Sequence, residues 1–299
     1  MLAFGLGLAS GLVWGAADFV GGLMTRRLAP ATVLVVGQGA GLATTATLVV
    51  LLGEPRPAAR FLLIGALGGL AGAIGLASLY RGLAVGPMSI VAPAAALSGA
   101  IPVVAGLAQG ERPAPVQLAG ILLAAVGIVL AARATDGPSV AVGPDLAVAR
   151  APRPTAPSRP SVAALGYAAA AALGLGLVMT ALDAAAAGGS ALWASMMVRA
   201  SSVPLFLVAW LLRPRGGERR PSPGELGVVA LVGLADNLAN VLFALAANTG
   251  LLAVVSVLGS LYPVTTVLLA RAVLHERLSR SQSIGVAAAL GGVALIAGG

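Results

Sequence analysis

The stretch Gly110–Ala132, GERPAPVQLAGILLAAVGIVLAA, occurs twice in this chain, its second copy being His275–Ala297, HERLSRSQSIGVAAALGGVALIA. At a constant spacing of 165 residues, Glu111 meets Glu276, Arg112 meets Arg277, Gln117 meets Gln282, Gly120 meets Gly285 and Gly127 meets Gly292. Ungapped matches at residues of special chemistry mark an internal duplication, and the fold has to accommodate two copies of one unit.

The composition names the solvent. Hydrophobic residues make up 59% of the chain, charged residues 9%, and the mean hydropathy is +0.99, against about 25% charged residues in an average soluble domain. Such a chain cannot cover itself with polar surface in water, so it is a membrane protein. The net charge of +8 comes from 18 basic residues, every one of them Arg. They fall mostly between apolar runs, where they set orientation in the membrane, and no nucleic-acid partner is expected. Without Cys there is no disulfide and no thiolate metal site. No basic segment precedes the first apolar run and Asp18 interrupts it, so that run is expected to be a retained helix, not a cleaved leader.

Ten apolar runs have the length of a span, at about 2–23, 31–52, 61–84, 87–108, 114–132, 161–182, 190–212, 225–248, 251–273 and 278–298. They are continuous and lack the alternation of barrel strands, which predicts an all-α membrane protein with ten transmembrane helices. Between the fifth and sixth runs lies a stretch with Pro138, Pro144, Pro152, Pro154, Pro157 and Pro160, read as a linker over 134–160 joining units at 1–133 and 161–299. Five crossings per unit make the second enter the membrane from the opposite side, so the copies are expected to be two inverted five-helix repeats. In secondary transporters of that architecture the substrate site lies near the midplane between the repeats.

Small residues mark where helices approach closely: Gly7, Gly11 and Gly15 in the first run, and Gly65 with Gly69 and Gly68 with Gly72 in the third. Pro93, Pro102, Pro204 and Pro263 fall inside runs and permit kinks. Loops after odd-numbered runs, with the adjoining helix ends, carry 14 Arg, while the opposite side carries Arg56, Arg60 and Arg112. Taken alone, that bias puts both termini outside.

Polar side chains inside the runs are the sharpest functional signal, because a charge at the bilayer centre costs about 2.5–3.5 kcal/mol on insertion scales. Arg199 lies near the middle of the seventh run, and Asp236 near the middle of the eighth, followed by Asn237, Asn240 and Asn248. Two readings stay open: a buried Arg199–Asp236 pair with amides as interhelical glue, or a cavity lining that binds a polar or zwitterionic solute, with Asp236 taking a coupling proton. Trp14 and Asp18 share one helical face, and Asp18 is either a solvated interfacial carboxylate or part of a site. Gln38 and several Ser residues are weaker candidates. Glu111–Arg112 and Glu276–Arg277 enter equivalent helices and read as structural staples, the acid favoured by the helix dipole. His275 is the single His, so HExxH is impossible. There is no GxSxG, no P-loop and no carboxylate cluster, so neither an enzyme nor an ATP-driven pump is expected, and no cofactor or metal.

Gly110-Glu111-Arg112 and His275-Glu276-Arg277, each followed by Gln-x-x-Gly, together with Trp14-Gly15 and Leu261-Tyr262-Pro263-Val264, resemble the drug/metabolite transporter superfamily in its EamA-like branch. Pro102 departs from the pattern, since Ser98 occupies the position corresponding to Pro263. The resemblance implies a multi-pass protein of the cell (inner) membrane that exports small metabolites or drugs by alternating access, with helices 1, 3, 4, 6, 8 and 9 lining a cavity. It also implies cytoplasmic termini, against the Arg count. The residues expected to contact a small-molecule solute are Trp14, Asp18, Arg199, Asp236, Asn237, Asn240 and Tyr262. A flippase for a lipid-linked headgroup and a non-transporting scaffold or partner subunit are the alternatives, and the sequence leaves monomer and homodimer unresolved.

Overall fold

In a computed structural model, which describes residues 1–25, 27–85, 96–132, 162–212, 220–274 and 278–299, the duplicated glutamines open two helices in the same way. Gln117 accepts the Ala114 N–H at 2.9 Å and Gln282 accepts the Ser279 N–H at 3.1 Å. Each thereby satisfies a backbone donor that a helix start would leave orphaned. Along the chain the elements are α1 (Leu2–Thr25), α2 (Pro30–Leu51), α3 (Ala59–Val85), a 3-10 turn (Leu97–Gly99), α4 (Ala100–Ala108), α5 (Pro115–Ala131), α6 (Val162–Ala186), α7 (Ala191–Leu212), α8 (Pro223–Ala247), α9 (Leu252–Gly259), α10 (Tyr262–Leu274) and α11 (Arg280–Ala297). No strand occurs among the described residues.

Among the described residues, eight segments are long and apolar enough to cross a bilayer: α1, α2, α3, α6, α7, α8, α11, and α9 taken with α10 as Leu252–Leu274. The protein is a multi-pass integral membrane protein, and large side chains such as Val50, Ile74, Leu122 and Leu212 stay exposed on its outside, as a hydrocarbon solvent permits. The ninth run, expected to be one continuous helix, is broken at Ser260–Leu261. Pro263 then sits in the first turn of α10, where its missing N–H costs nothing. Pro102 likewise lies in the first turn of α4, whereas Pro204 is inside α7. The first part of the fourth run, Pro93, the 134–160 linker and His275–Arg277 lie outside the described residues.

The duplicated glycines form a seam between α5 and α11. A Cβ at Gly120 would meet the Gly292 carbonyl and Ile296, and one at Gly127 would meet Gly285 and Ala289 backbone. The Gly stripes of α3 serve two partners: Gly65 and Gly69 face α7, while Gly68 and Gly72 face Ala181 and Val178 of α6. Gly11 and Gly15 of α1 lie against the α9–α10 break, where Thr266 Oγ1 donates to the Gly15 carbonyl at 3.0 Å. The heaviest packing therefore runs between the first and second halves of the chain: α1 on α8, α3 on α6 and α7, α2 on α7 and α8, and α5 on α11.

Glu111 is a staple, though not for the helix it precedes. The turn at Gly110, with φ of 92°, is open to glycine without strain. Beyond it, the Glu111 carboxylate accepts from Leu252 N at 2.6 Å and from Ala253 N at 2.9 Å, capping α9 from 141 residues away. Both donors belong to fully buried residues. Glu111→Ala is therefore expected to cost about 1–3 kcal/mol for each donor left unpaired, read as a lower unfolding midpoint in detergent. Glu111→Gln, which keeps one acceptor oxygen, should lose less.

Candidate functional site

Arg199 is in the middle of α7 and only 3% exposed, so its charge has to be answered inside the bundle. Nη2 pairs with Asp236 Oδ2 of α8 at 2.5 Å, and Nη1 donates to Gln38 Oε1 of α2. The three helices meet because α2 and α8 cross at Gly37 and Gly233, where a side chain on Gly233 would strike the Gly37 backbone. Arg199 Nε, in contrast, is buried with no hydrogen-bond partner among the described residues. Gln38, a lone amide in an apolar run and a weaker candidate from the sequence, is thus the third member of the cluster.

The cluster forms part of the wall of a cavity of about 280 Å³. Trp14, Asp18, Gln38, Ser98, Arg199, Ser202, Asp236, Asn240 and Tyr262 supply its polar lining, among apolar neighbours that include Leu34, Leu76, Val178, Phe206 and Val232. The lining draws on the C-terminal half of α1, the N-terminal half of α2 and the middle of α3, α6, α7 and α8. The cavity consequently runs from mid-membrane toward the arginine-rich face, the side of the α1–α2 turn. Toward the opposite face, where the chain termini lie, the space is filled by an apolar cluster of Leu182, Ala186, Phe243, Ala244, Leu252 and Val255. Trp14 sits between the two regions, its ring 5.6 Å from that of Phe243.

Asp18 differs from Asp236 in having no ion-pair partner among the described residues. It is half-buried in the cavity wall, faces Asp236 across the space, and takes no hydrogen bond among the described residues. The interfacial, solvated position is thus not where the structure puts it. Tyr262, also in the lining, is hydrogen-bonded to the Ser98 side chain. With Asp18 and Asp236 ionised against Arg199, the described lining residues carry one net negative charge, and a carboxylate left unpaired in such surroundings calls for a proton or a cation.

Two of the three amides that follow Asp236 in the eighth run have other employment. Asn237 is 4% exposed, outside the lining, and accepts a hydrogen bond from Ser195 Oγ at 2.9 Å, tying α7 to α8. Asn248 closes the end of α8, donating to Ala244 O at 3.0 Å and Asp183 O at 3.3 Å. Adjacent positions on a helix point about 100° apart, and that step turns Asn237 from the cavity side of α8, where Asp236 lies, toward Ser195 of α7. Among the described residues, no group of three His, Cys, Asp or Glu side chains is arranged to hold a metal.

No curated protein matches the chain. A solved crystal structure, described only as that of a protein, aligns over 98% of this chain and 96% of its own with a TM-score of 0.74 at 20% identity, a likeness of fold. The model of the EamA-like transporter family matches in two stretches, residues 1–133 and 162–298, which together take in the α1–α5 and α6–α11 helices and every lining residue named above. The chain belongs to the EamA-like transporter family, a family of membrane transporters.

Proposed function

We propose that this chain is a secondary-active exporter of a small polar, amino-acid-like metabolite or drug, working by alternating access through the cavity between its halves. The observation that carries the reading is a mid-membrane cavity lined by a closed Arg199–Asp236 pair and by a carboxylate, Asp18, that has no partner among the described residues. In this scheme Asp18 accepts the coupling proton or the solute's ammonium group. Arg199, in the cavity wall, receives an anionic group, and Trp14 and Tyr262 bound the apolar part. Asp236, the sequence's candidate for the proton, is engaged by Arg199 and is assigned to holding that side chain.

Inverted repeats are part of the proposal. Their support is reciprocal packing: at the 165-residue spacing Gly120 corresponds to Gly285 and Gly127 to Gly292, and Gly120 packs on Gly292 while Gly127 packs on Gly285. A two-fold axis in the membrane plane generates such exchanged pairs. On the positive-inside bias the arginine-rich face is cytoplasmic, so the cavity loads from the cytoplasm, as an exporter requires. Both termini then lie outside, against the family expectation.

Counterflow in proteoliposomes tests this, with a panel of amino acids, nucleosides and cationic dyes. The expected result is saturable exchange of zwitterionic or cationic solutes by wild type, reduced at least tenfold in Asp18→Ala. Absence of exchange in a correctly inserted preparation would move the flippase and scaffold readings ahead.

A further inference from the structure

We infer that Asp183 is a second cation-binding carboxylate, the counterpart of Asp18, which serves the opposite face when that face opens. The inference rests on the alternating-access reading above. The 165-residue spacing carries Asp18 onto Asp183. It also carries the cavity-wall residues Ala17, Gly21 and Leu79 onto Leu182, Ala186 and Ala244, all buried together in the apolar cluster that fills the terminus-side half. The plug is thus the image of the cavity wall. If the halves exchange conformations, the plug parts and Asp183 takes the position toward the terminus face that Asp18 holds here.

Stability gives no account of Asp183. It lies in the last turn of α6, the end of the helix dipole that disfavours an anion, and its electrostatic neighbour is another acid, Glu111. Among the described residues its side chain takes no hydrogen bond; only its backbone carbonyl is used, by Ala187 N and Asn248 Nδ2. A carboxylate placed against local preference on every count is expected where function requires it.

The test compares transport from each face in oriented proteoliposomes. Asp183→Asn should raise KM at least fivefold for solute presented at the terminus face and leave KM at the arginine-rich face within twofold. Asp18→Asn should do the reverse, and Asp183→Glu should restore wild-type behaviour. Ethidium flux at equal pH and proton flux read by an entrapped pH dye separate an organic cation from a proton as the ligand. The chain has no Cys, so Ala186→Cys adds a single thiol on the plug, one helical turn from Asp183. A membrane-impermeant thiol reagent at the terminus face should label it at least tenfold faster during turnover than at rest. The inference is overturned if wild type moves ethidium or protons and Asp18→Asn is impaired, yet Asp183→Asn matches wild type at both faces or the introduced thiol never reacts. If wild type moves neither, the transport reading itself fails and takes this one with it.

Discussion

Arg199→Ala is expected to lower stability by about 3–5 kcal/mol and to abolish transport, because it leaves Asp236 charged in the bundle with its cation gone. The Asp236 side chain is 28% exposed, toward the cavity, which places the loss toward the lower end of that range. Replacing both partners with apolar residues, Arg199→Met with Asp236→Leu, removes the uncompensated charge and should recover most of the stability, as such replacements often do. Transport should not recover, since the anion-receiving guanidinium is gone. Thermal unfolding in detergent of the two single variants and the double variant gives the coupling directly. Additive losses would mean that the pair does not hold the three helices together.

Gly233→Val is the second large effect. A Cβ at Gly233 would lie inside the Gly37 backbone, and backbone cannot swing aside as a side-chain tip can. The substitution must part α2 from α8, one turn from Asp236 and beside Gln38. We expect at least about 1–3 kcal/mol of destabilisation from overpacking, and transport lost even where folded protein is recovered. Gly227→Ala on the same helix has nothing within 4 Å and gains helix propensity of up to about 1 kcal/mol, so it should be neutral or stabilising. Similar behaviour of the two variants would show that the α2–α8 crossing is looser than described.

The parts of this structure that the sequence spelled out are those where one residue type has one physical use. Hydrophobic runs separated by Arg, Pro and Gly gave most of the spans, since span length is set by the bilayer. The repeated Gln and Gly residues announced two equivalent helix starts and a close helix seam. The break at Ser260–Leu261 was not legible, because Leu251–Ala270 carries no charge to interrupt it and a mid-run Pro signals a kink as readily as a helix start. Partnerships were harder still. Arg199 could be matched with Asp236, but nothing in the sequence says that Gln38, 161 residues away, completes the cluster. Asn237 was assigned by its polarity to the site, although the step of about 100° from Asp236 turns it toward Ser195. The equivalence of Asp18 and Asp183 was present in the 165-residue spacing, and acquires meaning only when one carboxylate is seen in a cavity and the other beside a plug.

In the proton-coupled form of the proposed cycle, Asp18 and not Asp236 ties solute movement through this cavity to a proton. This role is tested most directly by solute efflux from proteoliposomes with and without an imposed pH gradient, comparing wild type with Asp18→Asn. The expected result is efflux that accelerates with the gradient in wild type, and gradient-independent residual exchange in Asp18→Asn at unchanged protein stability. Full retention of the pH response in Asp18→Asn would contradict it.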